Sequence, residues 1–142
     1  MAAMTRKEAR EELFRLLFET EFRGEEDVRE IYALAVEARQ IREDAYIKEC
    51  YFGVREHLEE IDELLSRHSN GWKPSRLSAT SRSVLRLCIY EMLYREDIPA
   101  AVSLNEAVEL VKLYDDPKAR AFVNGVLNAV KDELASTPKT DA

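Results

Sequence analysis

The stretch Thr5–Phe22, TRKEAREELFRLLFETEF, reads as an amphipathic helix and sets the terms for the rest of the chain. At 3.6 residues per turn, Ala9, Leu13, Leu16, Leu17 and Thr20 fall on one side, with the spacing of a core-facing stripe. Arg6, Lys7 and Arg10 share the adjoining flank with Phe14 and Phe18, and Glu8, Glu11, Glu12, Arg15 and Glu19 take the opposite face. A flank that mixes cations and rings suits single-stranded nucleic acid, because phosphates take the charge and unpaired bases stack on the rings. The same rings equally suit packing against a neighbouring helix.

Composition extends the helical reading to the whole chain. Only 4 Gly and 4 Pro occur in 142 residues, and Ala, Glu, Leu and Arg are abundant, so we expect an all-α protein with one core. A formal net charge of −7 excludes a general polyanion binder. Any nucleic-acid site must be small and one-sided. Cys50 and Cys88 sit in apolar helical patterns without metal or redox spacing, as buried, reduced thiols of a cytoplasmic protein do. No run approaches the ~20 apolar residues of a membrane span, and MAAMTRKEAREE carries no targeting signal. Met1 and Met4 are both plausible starts. The first residues are expected to fray, and the polar tail from Ser136 to be loose.

After Gly24, a weaker amphipathic helix is expected over 25–42 on Val28, Ile31, Ala35 and Ala38, then a longer one over 44–67 on Ile47, Tyr51, Val54, Leu58, Ile61 and Leu65. These make a three-helix N-terminal half, about 5–67. Residues 68–78 form a connection in which Pro74 starts a short helix and the single tryptophan, Trp72, is expected to plug the seam between the halves. The C-terminal half, about 79–136, opens with a helix over 81–95, capped by Ser78 or Thr80 and so apolar that it should be central, with Arg82 and Arg86 on its exposed side. Ser103-Leu104-Asn105-Glu106 has the spacing of a capping box, and Asp115 or Asp116 before Pro117 starts the last helix. On that helix Lys118 and Phe122 form a second pair of cation and ring. Gly125 there suggests close approach of another backbone or a ligand.

No Gly-rich phosphate loop, metal-ligand cluster or nucleophile elbow is present. His57 and His68 lack catalytic partners, and the carboxylates fall on faces expected to be solvated. The chain reads as a binding protein, without catalytic residues, metal or cofactor.

Three motifs, Leu85-Arg86-Leu87-Cys88-Ile89-Tyr90-Glu91, Leu104-Asn105-Glu106-Ala107-Val108-Glu109-Leu110 and Phe122-Val123-Asn124-Gly125-Val126-Leu127, closely resemble the NusB transcription antitermination factors. Ile98-Pro99, Trp72, Leu77 and the opening Arg6-Lys7-Glu8-Ala9-Arg10-Glu11 fit the same pattern in the same order. Residues 23–70 match in helical pattern alone. Glu8 interrupts the basic run, and Ser81 stands where an acid often precedes the arginine at Arg82.

The resemblance implies two packed three-helix subdomains, six or seven helices in all, and binding to boxA-type RNA of ribosomal RNA leaders together with the ribosomal protein NusE, within the RNA polymerase antitermination complex. By position it assigns RNA binding to Arg6, Lys7, Arg10, Phe18, Lys118 and Phe122, and protein-partner contacts to Arg76, Ser81 and Arg82. Such proteins are monomers or homodimers. Two other readings stand beside it. One is the helical domain that precedes the catalytic domain of some ribosomal RNA cytosine methyltransferases; with no cofactor-binding domain following, methyl transfer is not expected. The other is a helical protein-interaction module without RNA.

Overall fold

A computed structural model describes residues 4–136, and the expectations for the first residues and for the tail after Ser136 lie outside that range. Seven α-helices and no strand occur among the described residues: α1 (Arg6–Thr20), α2 (Val28–Glu37), α3 (Ala45–Glu56), α4 (Leu58–His68), α5 (Ala79–Tyr94), α6 (Ala100–Tyr114) and α7 (Pro117–Ala135), with a 3₁₀ turn at Pro74–Arg76. Side-chain caps fix most of the starts. Thr5, Asp27, Asp44, Ser78 and Asp116 each accept from an amide in the first turn. Helix α7 adds Pro at its first position, where the missing N–H costs nothing.

Helix α5 is the axis of the fold, and α1, α3, α4, α6 and α7 all pack on it. Val84, Leu85, Leu87, Cys88, Ile89 and Met92 are buried around most of its circumference, as its sequence requires. Gly53 allows α3 to approach closely, because a Cβ there would collide with the Tyr90 ring. Both cysteines are buried and free, and burial pushes their thiols up.

Five local expectations are corrected. The helix expected over 44–67 breaks at His57 (φ −105°, ψ 23°), so four helices, not three, precede the connection. No Gly or Pro marks the break; the His57 ring stacks on Tyr94 at 4.3 Å instead, and α4 turns to pack on α5 and α7. Helix α2 stops at Glu37, short of residue 42, because Arg39 takes a left-handed conformation (φ 58°).

The capping box at Ser103 does not form. Helix α6 begins at Ala100, and the buried Ser103 hydroxyl donates to Glu91 Oε1 at 2.7 Å. Trp72 does not plug a seam but stands 53% exposed. Around Gly125 there is open space, so no other backbone of the described residues approaches it, and the part of that expectation that concerned a ligand is not addressed by the packing.

Candidate nucleic-acid interface

The cations of α1 divide by depth. Thr5 and Glu8 close a reciprocal capping box: the Glu8 amide donates to Thr5 Oγ1 at 3.1 Å, and the Thr5 amide donates to Glu8 Oε1 at 3.0 Å. These bonds hold the Glu8 carboxyl below its usual range. The acid that interrupts the basic run is thus the residue that starts the helix.

Arg6 is exposed, 3.8 Å from Asp97, with its guanidinium 4.4 Å from the centre of the Tyr46 ring. Lys7 is exposed and has no ion-pair partner among the described residues.

Arg10 lies elsewhere, and here the expectation of a displayed cation is corrected. Only 4% of it is exposed. Its Nε and Nη2 donate to Glu91 Oε2 and Oε1 at 3.0 and 3.2 Å, and Nη1 lies 4.0 Å from Glu106. Glu91, 1% exposed, also accepts from the hydroxyls of Tyr46 and Ser103. One carboxylate therefore ties α1, α3, α5 and α6 together. Burial alone would lower the Arg10 pKa, but the bonds to Glu91 together with the neighbouring Tyr46, Glu91 and Glu106 charges outweigh it, and the net direction is up. Burial and the Glu91 charge push the Tyr46 hydroxyl up, so it stays a donor. Arg10 sets the depth and rotation of α1, and so the direction in which Arg6 and Lys7 point.

The rings form a ladder. Phe14 is buried 5.0 Å from Tyr114 and 6.2 Å from Phe18, and Phe18 lies 5.1 Å from Phe22. Phe14 packs between helices, Phe18 is half-buried, and Phe22 is 69% exposed. Tyr114, whose hydroxyl donates to Glu11 at 2.6 Å, couples α1 to the segment leading into α7. Four residues further on, Lys118 is exposed with no ion-pair partner among the described residues, and Phe122 is half-buried at the core edge.

Arg6 and Lys7 stand in the first turn of α1, and Lys118 in that of α7. The helix dipole disfavours cations there by about 0.3–1 kcal/mol each, a cost that a bound anion would reverse. A cleft of about 270 Å³ between α1 and α6 is bordered by Lys7 and also by Glu11, Glu106 and Glu109. An anion is therefore confined to the outer rim of α1.

Of the partner residues, Arg76 is the one that is exposed with no ion-pair partner among the described residues. Ser81 is buried and donates to Asp115 Oδ2 at 3.2 Å. Arg82 donates to Glu21 at 2.7 Å and to the Pro74 and Leu77 carbonyls at 3.1 and 2.7 Å. Arg86 pairs with Asp62 and Glu21. Arg82 and Arg86, expected on an exposed side, are instead joined in a network that closes the N-terminal end of α5.

Sequence reasoning missed the Glu91 hub, the ladder ends Phe22 and Tyr114, and the capping box. Thr5-Arg6-Lys7-Glu8 does carry the T-x-x-E spacing, and a lone acid inside the apolar run of α5 was a signal of burial. Among the described residues no group of His, Cys, Asp or Glu is placed to hold a metal, and no helix is long and apolar enough to cross a membrane.

Comparison with known proteins accounts for nearly the whole chain. A model of the NusB family matches residues 7–132. The transcription antitermination protein NusB of Bacillus pumilus (strain SAFR-032) is 41% identical over 131 residues, 92% of this chain and 98% of that protein. The NusB of Bacillus subtilis (strain 168) is 39% identical over the same length. Among solved structures, T. maritima NusB superposes with a TM-score of 0.81 at 36% identity, over 93% of this chain and 94% of that one. A chain from a crystal structure of antitermination factors NusB and NusE in complex with dsRNA gives 0.76 at 33% identity, over 90% of this chain and 96% of that one. With the helix order, the buried α5 axis and the matched length in agreement, the chain belongs to the NusB family.

Proposed function

We propose that this chain is a cytoplasmic transcription antitermination factor that binds boxA-type single-stranded RNA of ribosomal RNA leaders jointly with NusE, promotes processive transcription, and catalyses no reaction. The observation that carries the reading is that cations without an ion pair among the described residues, Lys7 and Lys118 in the first turns of α1 and α7, share those helices with the edge rings Phe18 and Phe122, in a chain of net charge −7. A relative of the same fold, 33% identical, has been crystallised with both NusE and RNA, which supports the choice of partners.

Arg6, Lys7 and Lys118 neutralise phosphates, Phe18 and Phe122 take bases, and Arg10 acts by positioning α1. The mechanism is one of holding. No bond is made or broken, and the α1 rim fixes a strand that NusE clamps from its own side. Of the partner residues, Arg76 alone is exposed to a second molecule, whereas Ser81 and Arg82 act through the end of α5.

Joint binding is reciprocal: if RNA raises the affinity for NusE, then NusE raises the affinity for RNA by the same factor. Immobilised chain is expected to retain about 5–150-fold more NusE at limiting concentration when boxA-type RNA is added, the span of a typical coupling free energy. Capture of NusE that is indifferent to RNA would contradict the reading.

A further inference from the structure

The half-exposed Trp72 sits on a turn that leaves it little freedom. Asn70 (φ 52°) and Gly71 (φ 83°) both take the left-handed conformation. The Trp72 amide donates to the Ser69 carbonyl, and the hydroxyl of the fully buried Ser69 donates to the Trp72 carbonyl. The following 3₁₀ turn is tethered to α5, since Arg82 donates to the Pro74 and Leu77 carbonyls. This backbone places the ring out in water, where its apolar area is available to a partner.

The surroundings define that partner. The concavity at the ring, about 580 Å³, is lined by Asn70, Gly71, Trp72, Lys73, Ser75 and Arg76 and contains no carboxylate. Lys73 and Arg76 are exposed and, unlike Arg82 beyond them, have no ion-pair partner among the described residues. In a chain with 28 acids against 21 bases, that local balance is reversed. A ring flanked by two cations and the Ser75 hydroxyl fits a planar anionic ligand, with a base on the indole and phosphates on Lys73 and Arg76. The two cations disfavour a basic protein segment.

Through Arg82 and Ser78, the turn is joined to the C-terminal end of α1, near Phe18, and to the residues just before α7. Arg82 links it to Glu21, just past the end of α1, at 2.7 Å. Ser78, immediately after it, donates to Asp115 beside the start of α7 at 3.0 Å.

We infer that Trp72, Lys73 and Arg76 form a second single-stranded RNA subsite, which takes a nucleotide flanking those held on α1 and α7. The inference rests on the RNA-binding reading given above.

Trp72 is the only tryptophan, so emission excited at the red edge, where the 6 tyrosines hardly absorb, reports on this ring alone. The full chain is titrated with dye-labelled boxA-type RNA carrying a few uridines at either end, with dye anisotropy and tryptophan emission followed together. Emission is expected to fall in parallel with binding, and acrylamide quenching to weaken. Trp72→Ala is expected to lower affinity by about tenfold, one stacked base, without moving the thermal midpoint. Lys73→Glu with Arg76→Glu should make the salt slope shallower by about 1.4, two contacts at roughly 0.7 each.

RNA that raises anisotropy but leaves tryptophan emission and acrylamide quenching unchanged, with Trp72→Ala binding like the parent, overturns the subsite and leaves the α1 and α7 interface standing. No anisotropy change at any concentration removes both. Protection of Trp72 by NusE and not by RNA overturns the subsite in favour of a protein contact.

Discussion

Replacing Glu91 with alanine is expected to cost about 3–5 kcal/mol of folding free energy, a large share of the roughly 5–15 kcal/mol that a domain of this kind has. The substitution leaves the Arg10 guanidinium in the interior with only Glu106, 4.0 Å away, as a charged neighbour. It also removes the acceptor used by the Tyr46 and Ser103 hydroxyls. Uncompensated burial of a charge and of two hydroxyls dominates the loss, while the missing apolar contacts of one side chain are minor. If that is the cause, removing the charge as well should restore much of the stability, so Arg10→Met with Glu91→Leu should be far more stable than Glu91→Ala alone. Urea unfolding followed by circular dichroism measures both. A Glu91→Ala loss under about 1 kcal/mol would mean that Arg10 finds water or another partner, and that the hub does not hold α1 in place.

The second large effect falls on binding. Lys7→Glu combined with Lys118→Glu is expected to weaken boxA-type RNA binding by roughly 10–100-fold at low salt and to make the log–log salt slope shallower by about 1.4. Both lysines are exposed, and reversing them breaks no ion pair among the described residues, so the thermal midpoint should stay put. Arg10→Glu offers no such clean reading. It places a second carboxylate beside Glu91 in the interior, and lost RNA binding would then report lost structure. Fluorescence anisotropy at several salt concentrations gives affinity and slope together. Unchanged affinity in the double variant would remove both lysines from the interface.

How much of this was legible without coordinates depends on what each residue answers to. The α1 stripe, the Asp116-Pro117 start and the apolar girth of α5 are local or periodic signals, and they read correctly because burial follows the 3.6-residue period. Arg10 and Lys7 look alike on a helical wheel. The partner that separates them, Glu91, lies 81 residues from Arg10 in sequence, so no spacing on α1 could reveal which cation is buried. Ser103 failed for the same reason: its pattern fitted a cap, yet its hydroxyl serves the hub. The break at His57 carries no Gly or Pro because it is made by a ring stacked from α5, a tertiary cause. Trp72 was misplaced by a general preference of large rings for the interior, which the left-handed Asn70 and Gly71 override.

The family likeness carried the candidate RNA residues, and the structure divides them by exposure. Arg6, Lys7 and Lys118 are exposed, Phe18 and Phe122 are half-buried at the edge, and Arg10 works from beneath. The central claim is that an acidic protein holds single-stranded RNA on one narrow rim built from the two ends of its chain.

Amide chemical-shift mapping of the isotope-labelled chain during titration with boxA-type RNA tests that claim most directly. The account predicts that the largest shifts cluster at residues 5–8, around Phe18, and at residues 117–123, with the acidic face of α4 at Glu59, Glu60 and Glu63 unmoved. Shifts concentrated on α4, or spread evenly over the surface, would contradict it.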